Sequence, residues 1–245
     1  MNTMLLRTLP MGLLLPALLA TAAAAQDAPA LQVSGNAALT SDYRFRGLSQ
    51  SRLRPALQGG ADLVHSRSGL YAGTWLSSIR WTDDAGGDTR LEMDIYAGRR
   101  GSLGKFSYDL GLLAYVYPSS GLAVNPNTRE LYVQGGYGPA YLKYSHAYSN
   151  LFGTPGSKHS GYLDIGVNLP LREGLVLNLH AGRQRVDGHG ELSYNDYRIG
   201  LTRAFGASSV SLAVAGTNTD AYMGPGGRNL GKTGVVLTIT TTFQE

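Results

Sequence analysis

The sequence predicts an all-β protein: a single closed antiparallel transmembrane β-barrel of about twelve strands, preceded by a cleaved signal peptide. Three observations point there. Short segments alternate apolar and polar residues: between Arg90 and Gly98, Leu91, Met93, Ile95 and Ala97 point one way and Glu92, Asp94 and Tyr96 the other. That period of two describes a strand lying between an apolar and a wet environment. The connections between such segments are alternately tight and long, as in outer-membrane barrels, and a soluble sandwich has no reason for that regularity. Finally, no run of about 18 apolar residues follows the N-terminal segment, so nothing reads as a helical anchor.

The chain divides into a signal peptide, residues 1–25, and a barrel domain, residues 26–245. Arg7 supplies the positive n-region, Met11 to Leu19 a short apolar core, and Ala23-Ala24-Ala25 the cleavage site before Gln26. There is no cysteine. An exported chain without disulfides needs another source of stability, and a closed barrel in which every backbone group is paired provides one. Removing Arg7 leaves twenty basic residues against seventeen acidic ones, scattered along the chain, which is no nucleic-acid signature.

The first strand is expected over residues 33–45, where Val33, Ala37, Leu39, Tyr43 and Phe45 share one phase, followed by a long loop, 46–55. Residues 56–65 and 70–78 follow, joined by a tight turn at 66–69. In the latter strand Leu70, Ala72, Thr74 and Leu76 oppose Tyr71, Gly73 and Trp75, and either face could point outward. A long loop, 79–89, leads to strand four, 90–98, and a shorter turn, 99–105, to strand five, 106–117. The alternation continues with a loop at 118–128, strand 129–137, the turn Gly138-Pro139, strand 140–149 and a loop at 150–160. It closes with strand 161–169, turn 170–174, strand 175–184, loop 185–193, strand 194–203, turn 204–207, strand 208–217, loop 218–233 and strand 234–243. At a rise of roughly 3.3 Å and a tilt near 40°, a strand of about ten residues crosses about 25 Å, the height of an outer-membrane apolar band. The prolines fall in connections or at strand edges, as closure requires. Tyr43, Phe45 and Tyr148 are expected in an outer aromatic girdle, and Tyr108, Tyr137 and Phe243 in a periplasmic one. Phe243, two residues from the end, supports recognition by barrel-assembly machinery.

Several stretches also carry a resemblance. Ser41-Asp42-Tyr43-Arg44-Phe45-Arg46-Gly47-Leu48-Ser49-Gln50-Ser51, Pro55-Ala56-Leu57-Gln58-Gly59-Gly60 and Gly69-Leu70-Tyr71-Ala72-Gly73-Thr74-Trp75 resemble the TorF family of outer-membrane porins. Glu92-Met93-Asp94-Ile95-Tyr96-Ala97-Gly98 and Tyr115-Val116-Tyr117-Pro118 continue it. The likeness is strong over the first half and survives in the second mostly as strand pattern. It implies a small outer-membrane barrel that conducts solutes, and it carries over neither a substrate nor a catalytic residue.

By phase, the residues expected to line a pore are Asp42, Arg44, Arg46, Gln58, Asp62, Glu92, Asp94, Asp109, Glu130, Gln134, Lys143, Asp164, Asn178, His180, Asp196 and Arg198. Acidic groups outnumber basic ones about two to one, which favours a weakly cation-preferring conduit for small hydrophilic solutes or ions. An interior filled by ion pairs and tyrosines, in a non-conducting barrel with structural or adhesive loops, fits the same residues. Arg46, Arg52 and Arg54 make loop one basic, suited to lipopolysaccharide phosphates, to a constriction or simply to solvent. Asp83-Asp84-Ala85-Gly86-Gly87-Asp88 lacks the ligand spacing of an EF-hand loop, and no histidine spacing suggests a metal or cofactor. Gly224-Pro225-Gly226-Gly227 lacks the lysine and helix of a phosphate cradle. Catalysis is not expected. In Ser145-His146-Ala147-Tyr148-Ser149-Asn150 a serine–histidine pair on one strand face needs even spacing, and neither serine has it.

Overall fold

The computed structural model describes residues 30–244. Twelve strands form one closed barrel: β1 (Leu31–Thr40), β2 (Ala56–His65), β3 (Leu70–Ser78), β4 (Leu91–Leu103), β5 (Phe106–Val116) and β6 (Thr128–Tyr137) make the first half. β7 (Ala140–Ala147), β8 (Gly161–Arg172), β9 (Leu175–Arg185), β10 (Tyr194–Phe205), β11 (Ser208–Thr217) and β12 (Gly234–Gln244) make the second. Each strand pairs antiparallel with its sequence neighbours, and β1 closes on β12 from Ser34 opposite Gln244 to Thr40 opposite Thr238. Closure leaves no unpaired edge.

Five tight turns crowd one end of the barrel, which also holds the first and last described residues, Ala30 and Gln244. Four are two-residue turns, Gly104-Lys105, Gly138-Pro139, Glu173-Gly174 and Gly206-Ala207, and the fifth spans residues 66–69. Each contains a glycine at positive φ, the backbone that lets a tight hairpin follow the right-handed strand twist. The six longer connections, residues 41–55, 79–90, 117–127, 148–160, 186–193 and 218–233, gather at the other, loop end.

The wall has two faces. Outward positions carry exposed apolar side chains such as Leu57, Ile95, Leu131, Ile165 and Val235, a belt that only lipid can cover. Inward positions carry tyrosines and carboxylates. The phase of β3 is thereby settled: Leu70 and Leu76 are exposed, and Tyr71 is buried inside. Across the ladders, inward tyrosines lie over glycines of the neighbouring strand. Tyr96 pairs with Gly73, Tyr71 with Gly98, Tyr132 with Gly111 and Tyr141 with Gly166, and in each an added Cβ would come within 2.5 Å of the tyrosine side chain. The chain's richness in glycine and tyrosine is this packing device.

Several boundaries differ from the sequence expectation. β4 runs to Leu103 and β10 to Phe205, because glycines and arginines near a strand end still satisfy the ladder. β8 runs through Pro170, which pairs with Val176 beside a bulge. Asn168 donates its amide to Pro139, so by alternation Pro170 turns its missing N–H toward the same side, where β7 has already ended. The largest difference lies in strand one, which ends at Thr40. Tyr43 and Phe45 leave the wall and turn into the lumen; Tyr43 is 6% exposed and belongs to no outer girdle. Tyr148, Tyr137 and Phe243 do face outward. The predicted signal peptide lies outside the described residues.

Candidate functional site

Loop one, residues 41–55, folds into the loop-end half of the lumen. Its two-residue strands Arg44–Phe45 and Leu48–Ser49 make a small hairpin with Arg46 and Gly47 at the tip, both at positive φ. Only glycine fits at 47: an added Cβ would stand 2.6 Å from Thr217, 2.7 Å from Asp196 and 2.9 Å from the Gly216 carbonyl, so the tip presses on the wall.

Polar anchors hold the hairpin in place. Arg46 donates to Glu130 at 2.7 and 2.9 Å and to Gln184 at 2.7 Å, and its guanidinium lies 4.3 Å from the centroid of the Tyr162 ring. Burial acts to lower the Arg46 guanidinium, but the Glu130 carboxylate outweighs it and holds the group above its ordinary value. Arg44 pairs with Asp42 at 2.5 Å and donates to the carbonyls of Gly47, Leu230 and Lys232. Ser49 and Ser51 donate to the other Asp42 oxygen at 2.5 and 3.2 Å. Tyr43 and Tyr117 donate to the two oxygens of Glu92 at 2.6 and 2.8 Å. Burial and the neighbouring Glu92 push the Tyr43 phenol up. Phe45, Tyr115 and Phe152 meet edge to face at 5.2–5.5 Å and fill the remaining width.

Beneath the hairpin lies a cavity of about 250 Å³ whose lining includes Asp62, Tyr132, Lys143, Asp164, His180 and Arg198. His180 bridges Asp164 at 2.8 Å and Asp196 at 2.6 Å, and Tyr162 donates to Asp196 at 2.8 Å. Asp62 accepts from Tyr96 at 2.8 Å and Asp109 from Tyr71 at 2.5 Å. Lys143 stands 4.2 Å from the Tyr132 ring centroid, and Arg198 reaches Ser211 at 3.3 Å. Asn178 donates to Asn168 and accepts from Thr202, Gln58 donates to Ser77, and Gln134 stands in register between Asp109 and Lys143. Asp94 is different. It is fully buried, stands in register between Trp75 and Tyr115, and neither carboxylate oxygen has a hydrogen-bond partner.

The structure thus brings the sixteen sequence-derived positions into one interior, but from two sources. Thirteen project from strands, whereas Asp42, Arg44 and Arg46 arrive on loop one rather than on an extended first strand. Sequence reasoning missed Tyr43, Phe45, Phe152 and Gln184 as interior contacts. The outer positions assigned to Tyr43 and Phe45 followed from alternation that continues in phase across residues 41 and 42, where the chain turns inward. Of the remaining loop arginines, Arg52 is bonded to Asp84, while Asp83 takes Arg90 at 2.9 Å. His146 lies outward, 3.3 Å from the ring of His159, and Ser145 is buried on the opposite face.

Residues 23–243 match a family model described as a bacterial protein of unknown function (Gcw_chp). No curated protein matches the sequence. Among solved structures, the KdgM porin is similar with a TM-score of 0.57 at 8% identity, covering 86% of this chain and 99% of that one. The NanC porin gives 0.53 at 11% identity over 87% and 99%, and an outer membrane channel from Pseudomonas putida F1 gives 0.51 at 13% over 89% and 97%. Identities this low show a shared fold, the small outer-membrane β-barrel. The model that matches is Gcw_chp, so the likeness to TorF porins rests on the sequence stretches alone.

Proposed function

The chain belongs to the Gcw_chp family of bacterial proteins of unknown function, and from its geometry we propose an outer-membrane channel for passive diffusion of small hydrophilic solutes or ions. The observation that carries this reading is the cavity of about 250 Å³ beneath an inward-folded loop, into which Asp62, Lys143, Asp164, His180 and Arg198 bring polar groups among the tyrosines. The barrel sits in the outer membrane with its turn end and termini in the periplasm and its long loops outside, as short turns and long loops do in such barrels. Outward Phe243 near the end of β12 supports handling by barrel-assembly machinery. The TorF-like stretches agree with a porin.

A weak cation preference follows from the interior charges. The pairs Arg44–Asp42 and Arg46–Glu130 cancel, and the remaining carboxylates Asp62, Glu92, Asp94, Asp109, Asp164 and Asp196 outnumber Lys143, Arg198, His180 and Arg100, whose guanidinium lies 5.2 Å from the Tyr71 ring centroid. Rings of carboxylate lower the barrier to cations. No covalent step is required. One observation favours a second reading, a closed barrel acting through its loops: the cluster Phe45–Tyr115–Phe152 packs the width beside the hairpin.

Planar-bilayer conductance of the refolded protein across a KCl gradient separates the two. Discrete steps with a cation-selective reversal potential support the channel. Anion selectivity would keep the channel and discard the preference. A verified folded barrel without conductance would leave the second reading.

A further inference from the structure

Two of the three arginines of loop one that the sequence offered to lipid phosphates are committed elsewhere: Arg46 is inside the lumen and Arg52 is bonded to Asp84, while Arg54 stays exposed. A different group of basic side chains stands at the loop end of β6–β9. Arg129 sits near the loop end of β6, His146 on β7, Lys158 and His159 just before β8, and Arg183 and Arg185 on β9. Of these, Arg129, Lys158, His159, Arg183 and Arg185 are exposed.

Register fixes their neighbourhood. Leu131, His146, Gly161 and Arg185 form one row across four strands, and Val133, Tyr144, Leu163 and Arg183 form the next row toward the middle of the barrel. With strands about 4.8 Å apart, the row from β6 to β9 spans about 14 Å. Gly161 leaves a shallow notch between His146 and Arg185, floored by the Tyr144 hydroxyl, which an added Cβ would meet at 2.6 Å. His159, held at a φ of 77°, lays its ring against His146.

Charge and depth then name the partner. Among the described residues, neither Arg129, Lys158 nor Arg183 has a carboxylate within ion-pair distance, and the Arg183 side chain donates only to Asn195, at 3.2 Å. Arg185 shares its charge with Asp187. Arg183 stands beside Leu163 and Tyr144 on the wall that lipid covers. An arginine there is tolerable only at headgroup level, where its stem packs on the apolar wall and its guanidinium reaches outward to phosphate. On the opposite arc of the same rim the wall positions Leu39, Leu57 and Val235 of β1, β2 and β12 are apolar, and the exposed cations there, Arg54 and Lys232, lie in the loops just before β2 and β12.

We propose that the loop-end face of β6–β9 docks lipopolysaccharide, with Arg129, Lys158 and Arg183 on its phosphate oxygens and Leu131, Tyr144 and Leu163 beneath its acyl chains. Guanidinium groups match phosphate oxygens in pairs, and His146 and His159 add donors between them. Three unpaired cations spread over this width suit a headgroup bearing more than one phosphate, not a single zwitterionic phospholipid. This inference rests on the outer-membrane placement above, and it does not require that the barrel conduct.

The test titrates purified lipopolysaccharide into the refolded, detergent-solubilised barrel and follows binding through the shift in thermal unfolding. Parallel titrations use the same lipid with its phosphates removed, zwitterionic phospholipid and inorganic phosphate. Arg129→Gln/Lys158→Gln/Arg183→Gln should bind intact lipopolysaccharide about a hundredfold more weakly, at roughly fivefold per surface cation. Arg90→Gln, on another arc and already paired with Asp83, should bind like the parent. Dephosphorylated lipid should bind the parent as weakly as intact lipid binds the triple variant. Equal affinity of parent and triple variant, or equal binding of phosphorylated, dephosphorylated and zwitterionic lipids, overturns the proposal, as does saturation by inorganic phosphate alone. If the triple variant fails the heat-modifiability check of a folded barrel, single Lys158→Gln replaces it, with a fivefold loss expected. Conductance is measured on the same preparations: a barrel that binds lipopolysaccharide without conducting sinks the channel and spares this site, and the reverse sinks only the site.

Discussion

The two halves of the lumen are built by the same alternation and hold different interiors. In the loop-end half, a hairpin, a three-ring aromatic cluster and the ion pair Arg46–Glu130 occupy the section. In the turn-end half, the side chains of the wall leave a cavity among tyrosines, Asp62, Lys143, His180 and Arg198. One segment makes the difference. Alternation decides which side chains face inward, and a loop entering from the rim decides whether the space they enclose is open.

The largest effect should follow from removing that segment. Replacing residues 43–50 with a short Gly/Ser connection is expected to raise single-channel conductance several-fold, because the hairpin and its aromatic contacts leave together. Bilayer recordings would show it, and unchanged conductance would place the narrowest section elsewhere.

A subtler break keeps the hairpin and removes its anchor. Glu130 is 2% exposed, and Arg46→Gln leaves its buried charge without a cation, with only the Tyr115 hydroxyl donating at 3.2 Å. Breaking one partner of a buried pair costs about 3–5 kcal/mol, and replacing both with apolar residues recovers most of that. Arg46→Gln should therefore unfold at markedly lower denaturant than the parent, with Arg46→Leu/Glu130→Leu close to the parent. If Arg46→Gln alone unfolds like the parent, the pair does not hold the loop.

This pair also marks how far the sequence could be read. The belt Leu57, Ile95, Leu131 and Val235, the turns closed by glycines and the inward phase of Asp62, Glu92, Asp109 and Asp196 follow from periodicity, since each depends on neighbours in the chain. The inward turn of loop one depends on Arg46 meeting Glu130 and Gln184 across the barrel, at separations of 84 and 138 residues, and no local pattern carries that. Worse, Leu39, Tyr43 and Phe45 stay in phase, so the sequence extends a strand the structure ends at Thr40. Gly47 between Arg46 and Leu48 was the one local sign of a sharp reversal. The tyrosine–glycine pairs were visible only as composition, because pairing needs register.

In the turn-end half the corresponding break is His180→Gln. The imidazole joins Asp164 to Asp196, and glutamine cannot donate to both from the ring's positions. Loss of hydrogen bonds to charged groups costs about 1.5–3 kcal/mol, and the freed carboxylates should move the KCl reversal potential further toward cation selectivity. A reversal potential that stays put would mean Asp164 and Asp196 do not face the ion path.

The smallest effect should have the opposite sign. Asp94 lies at the boundary between the halves, fully buried between Trp75 and Tyr115 with no donor on either oxygen. Elsewhere in the lumen every interior carboxylate of the cavity wall has a tyrosine or histidine donor, as Asp62 has Tyr96 and Asp109 has Tyr71. A buried polar group without a partner costs about 1–3 kcal/mol, so Asp94→Leu should stabilise the barrel by about 1 kcal/mol after the packing cost of the new shape. Asp94→Asn keeps the shape and the unmet polar atoms and should change little. Denaturant midpoints in detergent distinguish the three proteins. A destabilised Asp94→Leu would mean that this carboxylate is held for the ion path rather than tolerated by the fold, and selectivity measured on that variant would then shift as well.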